Sequence, residues 1–166
     1  MVTSSDILLK GIVWNTALSY LSHIFKTRTN YSIYLLSTAI GIMYDRQIDA
    51  LEDNGEDVAS VPRNVFNTNS EPFDLLFQSA ILTTAIEKLN DDERLALAFG
   101  DQKSDFNKIT FLTKYANFGV TKLVELASDD ILITMENIKN FLTSTMEGTN
   151  FEIDSLVDVD FEVESV

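Results

Sequence analysis

Apolar residues recur at helical spacing along most of this 166-residue chain, and one stretch is apolar almost all round. Residues Asn30–Tyr44 carry no charged side chain. Since a helix that is apolar on every side packs inside a protein, this stretch is predicted to form the central helix of a bundle, ending near Leu51. It is too short for a membrane span, because Asp45 and Arg46 interrupt it before the roughly 20 apolar residues that a span needs. The residues expected to be almost fully buried are Ile33, Leu36, Ile40 and Met43.

The flanking segments predict further helices and one short extended piece. An apolar stripe that ends near Lys26 predicts a first helix, with Ser4 or Ser5 as its cap. Residues 58–66 could form a short strand that Pro62 confines to a sheet edge. The residues expected to cap the remaining helices are Ser70, Asn90, Ser104 and, for the last helix, the run Ser128-Asp129-Asp130.

These elements predict a mainly α protein, a single-domain bundle of about five to six helices around the buried central helix. A break or tight bend is expected at Ala116–Gly119. Residues 1–148 form the predicted helical domain, and residues 149–166 form an acidic C-terminal tail. The inner face of the last helix is predicted to consist of Ile131, Met135, Ile138, Phe141, Leu142 and Thr145.

The tail alternates apolar and acidic residues from Val157 to Glu164, which is the period of a β-strand. Three interpretations remain open for it. It pairs with residues 58–66 as an edge strand, adds a strand to a partner protein, or is a solubilising terminus without a contact role. In the second interpretation, the candidate partner-binding residues are Val157, Val159, Phe161 and Val163 on one face and Asp158, Asp160, Glu162 and Glu164 on the other.

A second group of acids follows the central helix. Asp45, Asp49 and Glu52 would share one helix face if that helix continued through them. They are candidates for a docking stripe that meets a basic partner, or for a weak metal site. The alternative is a solvated helix end followed by a loop. A calcium-binding loop around Gly55 is excluded, because its first and last positions are not carboxylates.

The charge of the chain narrows the classes of partner. Its 26 acidic and 12 basic residues give a formal net charge of −14. Such a chain is repelled by nucleic-acid phosphates and by anionic lipid, so no direct nucleic-acid or membrane binding is expected. There is no cysteine, no Gly-rich phosphate loop and no His–carboxylate metal motif, so neither a cofactor nor an enzymatic activity is expected. The start of the chain lacks the basic region of a signal peptide, and the cytoplasm is the expected compartment.

Residues 25–41, in which a short polar turn leads into an apolar helix with a late glycine, resemble small accessory proteins of bacterial anti-phage and DNA-modification gene clusters. The similarity continues through Pro62-Arg63, residues 73–76 and Phe106 to residues 115–119. This resemblance implies a small non-enzymatic subunit that works with larger ATPase or nuclease partners. It implies no catalytic motif and locates no site.

The sequence therefore predicts a non-enzymatic accessory or adaptor subunit that binds a larger protein partner, with self-association left open. The second hypothesis is an acidic DNA mimic that inhibits a nucleic-acid enzyme, which requires carboxylates spread over a folded face at phosphate-like spacing. Seven of the acids lie between Glu147 and Glu164, and this concentration in the tail favours the adaptor. A metal-dependent hydrolase that uses Asp45, Asp49 and neighbouring acids is the third hypothesis.

Overall fold

The computed structural model describes residues 1–53, 55, 58–84, 89–100 and 106–146, without the side chains of residues 145 and 146. These residues form seven helices and one two-stranded sheet, which confirms the predicted mainly α fold. The tail lies outside the described residues, so its interpretations stay predictions. Ser104 also lies outside them, and the prediction that it caps the next helix is wrong, because that helix begins at Lys108 and the side chain of Asn107 accepts from the Thr110 N–H at 3.0 Å. The elements are β1 Ile7–Leu9, α1 Ile12–Leu21, α2 Thr29–Met43, β2 Ala59–Val61, α3 Arg63–Thr68, α4 Glu71–Thr83, α5 Asp91–Phe99, α6 Lys108–Glu125 and α7 Ile131–Met146.

The N-terminal segment begins with a strand, so the prediction of a helix that starts at Ser4 or Ser5 is wrong. Ile7 and Leu9 are buried and the residue between them is exposed, which is the alternation of a strand. β1 pairs with β2 in antiparallel orientation. α1 begins only after Gly11, whose φ of 115° belongs to neither a helix nor a regular strand. β2 confirms the short strand predicted within residues 58–66.

α2 is the central helix, but it ends at Met43, earlier than the sequence predicted. Its C-terminus is a Schellman motif, in which the Arg46 N–H donates to the Gly41 carbonyl at 3.1 Å and the Asp45 N–H donates to the Ile42 carbonyl at 2.9 Å. Asp45 has a φ of 48°, in the left-handed region that aspartate tolerates better than most residues. This turn stops the helix before the acids that were expected to continue it.

α2 packs directly against α6, and the two backbones meet at a pair of glycines. A Cβ atom added to Gly119 would lie 1.8 Å from the carbonyl oxygen of Ser37, and one added to Gly41 would lie 2.0 Å from the carbonyl oxygen of Tyr115. Glycine permits this approach because it has no side chain. α6 runs unbroken through Gly119, so the break predicted at Ala116–Gly119 is wrong. The glycine there serves helix packing rather than a chain reversal.

Aromatic side chains fill the space between α1, α2 and α4. Trp14, Tyr34 and Phe73 are fully buried, and the Tyr34 and Phe73 rings lie 5.2 Å apart between centroids. Burial raises the pKa of the Tyr34 phenol, whose oxygen shares a 2.9 Å hydrogen bond with the Thr113 hydroxyl. The phenol therefore stays neutral at physiological pH and acts as a structural group.

Asn117 joins α6 to two other segments from inside the core, and replacing it should destabilise the fold. Its Oδ1 accepts a hydrogen bond from Trp14 Nε1 at 3.0 Å, and its Nδ2 donates to the Ile48 carbonyl at 3.1 Å. Asn117→Leu would leave both partners without their bond, so we expect chemical denaturation to show a loss of about 1–3 kcal/mol. The matched control is Thr110→Leu on the exposed face of α6, which should change stability by less than about 0.5 kcal/mol. Equal losses for the two variants would contradict this role of Asn117.

Candidate functional site

Asp45, Asp49 and Glu52 do not form the predicted stripe on one helix face, because α2 ends before them. The Asp45 carboxylate accepts a long hydrogen bond from the Tyr115 hydroxyl at 3.4 Å. Asp49 instead forms an ion pair with Lys114 at 2.6 Å, in which the side chain of Asp49 is 84% exposed and that of Lys114 is 38% exposed. Asp45 and Asp49 thus have different partners, and Glu52 is exposed. Whether these three residues contact a partner stays a prediction.

The described part of the chain contains no group of three or more His, Cys, Asp or Glu side chains placed to hold a metal ion. It therefore supplies no site for the metal-dependent hydrolase hypothesis. None of the helices in the same residues combines the length and the apolar character needed to cross a bilayer. The acids of the tail, whose concentration there favours the adaptor over the DNA mimic, lie outside the described residues.

A polar cleft of about 460 Å³ lies between the N-terminal segment and the first turns of α6. The carboxylates that line it already bond within the chain. Asp6 accepts a hydrogen bond from the backbone N–H of Arg63 at 2.9 Å and so satisfies the first N–H group of α3. The second carboxylate, Asp49, is paired with Lys114. The other residues that line the cleft are mainly neutral, so the cleft does not gather charged side chains at one place.

A larger and apolar groove, of about 810 Å³, lies between α2, α4 and α7. The turn that follows α1 contributes two further apolar side chains to it. We call this surface the apolar groove. Its lining residues are Ile24, Phe25, Ser32, Leu35, Leu36, Ala39, Pro72, Leu75, Leu76, Met135, Ile138, Lys139, Leu142 and Thr143.

Helical spacing places a stripe of α2 along the apolar groove. Leu35, Leu36 and Ala39 are half-buried and recur with the period of one helix face. The opposite face of α2 packs on α6 and the aromatic core, where the predicted burial of Ile33 and Ile40 is confirmed. α2 is therefore apolar all round for two reasons: one face fills the core and another forms the wall of an open groove. The predicted full burial is wrong for Leu36, and for Met43, which is 36% exposed.

α7 also divides its apolar residues between the core and the groove. Ile138 and Phe141 are buried, but Met135 is 50% exposed and Leu142 is 40% exposed. The prediction that these residues form a single inner face is therefore wrong for part of the set, including Ile131, which is 44% exposed. The reason is that the apolar arc of α7 is wider than the surface it packs against. The side chain of Thr145 lies outside the described residues.

Sequence reasoning missed the contribution of α4 to the groove. Phe73 and Phe77 form the buried face of this helix, while Leu75 is 64% exposed. The sequence did contain one sign of this surface, because Leu75 does not lie on the helix face that carries the core residues Phe73 and Phe77. Such a signal is weak for one residue, because isolated exposed apolar residues are common. It becomes informative when three helices present such residues to the same groove.

The charge inside the apolar groove differs from the charge of the whole chain. Among the residues that line it in the described structure, Lys139 alone is charged, whereas the entire chain has a formal net charge of −14. Contact inside the groove is therefore apolar, and the charge of the chain acts at longer range. No protein-family model, curated protein or solved structure matches this chain.

Proposed function

We propose that this protein is a non-enzymatic adaptor subunit that binds a larger protein partner through the apolar groove. The observation that supports this proposal is the gathering of exposed Leu75, Met135 and Leu142 around one groove of about 810 Å³. Apolar surface left in water costs about 25 cal/mol per Å², and contiguous exposed patches mark contact surfaces. An apolar segment of a partner would remove these side chains from water.

The charge of the chain favours a partner with a basic surface. Opposite charges raise the rate of association, and like charges suppress wrong partners. Proteins that handle nucleic acid carry basic surfaces that neutralise phosphates. The resemblance of residues 25–41 to accessory proteins of anti-phage gene clusters agrees with this choice, since it implies an ATPase or nuclease partner in a phage-defence complex.

The acidic tail is proposed as a second contact with the same partner. The apolar face of residues 157–164 would add a strand to an exposed sheet edge of the partner, and the acidic face would meet basic residues or water. The groove and the tail differ in chemistry, so their contributions are separable. Binding through the groove does not require the tail.

Affinity capture from the native host, with the full chain as bait, tests the proposal. We expect one larger protein to be retained by the unmodified bait and lost when the bait carries Leu142→Glu, because the new carboxylate would be buried in the apolar contact. The matched control is Leu95→Glu on α5, where the leucine is 50% exposed and does not line the groove. Retention of the same protein by both variants would contradict binding through the groove.

A further inference from the structure

We propose that the segment received by the apolar groove is an amphipathic helix of the partner, with apolar residues toward the groove and basic residues on its opposite face. This inference rests on the proposed function for the existence of a partner, and it adds the conformation and the chemistry of the segment that docks. The conformation follows from the backbone of the groove walls, and the charge follows from the composition of the chain.

The groove walls favour a helix over an extended segment. They are formed by α2, α4 and α7, whose backbone groups are bonded within each helix, and neither β1 nor β2 lines the groove. An extended segment gains affinity from main-chain hydrogen bonds at a sheet edge, and the groove has no such edge. Those of its N–H and C=O groups that face the groove would be buried among apolar side chains without partners, at a cost of about 1–3 kcal/mol each. A helix satisfies these groups internally.

The length of the groove fits a short stretch of helix. On α7 the lining residues run from Met135 to Thr143, a distance of about 12 Å at 1.5 Å per residue. That distance corresponds to about two turns of a helix lying alongside. Two turns present apolar anchors at positions i, i+3 or i+4, and i+7, which is the usual pattern of a helix bound in a groove.

The charge of the chain distinguishes the partner from two other occupants. A second copy would bring a further formal charge of −14, and the tail carries seven acids between Glu147 and Glu164. The charges at the groove itself balance: Lys139 is in the lining, Lys26 follows the lining residue Phe25, and Glu71 and Glu136 adjoin lining residues of α4 and α7. The preference for a basic segment therefore comes from the net charge of the chain, which acts at long range. Like-charged occupants are repelled at long range, whereas a helix with basic residues on its outer face is attracted.

Binding of model peptides to the full chain, followed by methyl NMR, tests this inference. The first peptide contains leucine and lysine, spans about four helical turns and has its leucines at helical spacing. The second has the same composition in strict alternation, and the third replaces lysine with glutamate. We expect the first peptide to shift the methyl signals of Leu35, Leu75 and Met135 to saturation while leaving Leu8 unchanged. We expect the other two to bind about tenfold more weakly, and Met135→Glu to weaken the first peptide by a similar factor.

Five results would overturn the inference. Equal binding of the alternating peptide would show that helical spacing is irrelevant. Equal binding of the glutamate peptide would show that the bound segment does not need basic residues. Groove signals that shift with protein concentration alone would identify a second copy as the occupant. Groove signals that shift in Phe161→Ala would identify the tail. If the peptides fail while Leu142→Glu still abolishes capture of a host protein, the proposed function stands and the helix inference is wrong.

Discussion

Replacing Gly119 with alanine should lower the free energy of unfolding by about 3 kcal/mol, although alanine is normally the better helix former by about 1 kcal/mol. The added Cβ would lie 1.8 Å from the carbonyl oxygen of Ser37 and 3.0 Å from the backbone nitrogen of Gly41. Both neighbours are backbone atoms of α2, so no side chain can move aside to relieve the overlap. The two helices would have to separate, and chemical denaturation would measure the cost.

Two further variants distinguish helix separation from a general effect of replacing glycine. Gly55→Ala places its Cβ in open space and should cost only about 1–2 kcal/mol, from its φ of 73°. Gly41→Ala meets the Tyr115 carbonyl on the same interface. Because either change forces the same helices apart, the Gly41/Gly119 double variant should cost less than the sum of the two single variants. A loss below about 1 kcal/mol for Gly119→Ala would show that the backbones of α2 and α6 are not in contact.

Local chemistry made several elements predictable from the sequence. Asn90 caps α5 as predicted: its side chain accepts a hydrogen bond from the Glu93 N–H, and the Glu93 carboxylate accepts one from the Asn90 N–H, which completes a capping box. The Asp130 carboxylate likewise accepts from the Leu132 N–H at 2.7 Å at the start of α7. Such signals depend on residues a few positions apart, so they can be recognised in the sequence without knowledge of the fold.

The errors arose where tertiary contacts decided the outcome. Residues 7–9 fit a helical stripe, but their pairing with β2 and the conformation of Gly11 make them a strand. Gly119 looked like a helix breaker because its packing partner, Ser37, lies far away in the sequence. The groove could not be predicted, because a buried apolar stripe and a solvent-facing one have the same helical spacing in the sequence, as on α2 and α7.

The second large effect is expected on binding. Met135→Glu should weaken the affinity for the captured partner about 30-fold, which corresponds to about 2 kcal/mol and is typical of a residue central to an interface. Met135 is 50% exposed in the free protein, so a charge there is tolerated, but partner binding would bury that charge without a counterion. Calorimetric titration of the purified partner with each variant would measure the change.

Ile133 provides a closely matched control for Met135. It lies two residues away on α7, is 49% exposed and does not line the apolar groove. Ile133→Glu should bind the partner as the unmodified chain does, and both variants should unfold within about 0.5 kcal/mol of it. High salt should slow association for all three chains without removing the difference between the two variants, because the contact in the groove is apolar. Equal weakening by both variants would indicate a nonspecific effect of negative charge.

Site-specific photo-crosslinking tests the central claim, that a partner occupies the apolar groove, most directly. The chain has no cysteine, so a photoreactive maleimide attaches only at an introduced one. Thr143 lines the apolar groove and Thr110 lines the polar cleft, and both are exposed threonines. We expect the probe on Thr143→Cys to crosslink the partner, at a segment with apolar residues at helical spacing, and the probe on Thr110→Cys to leave it unlinked. Crosslinking from Thr110→Cys alone, or from both positions equally, would contradict the assignment of the groove as the binding site.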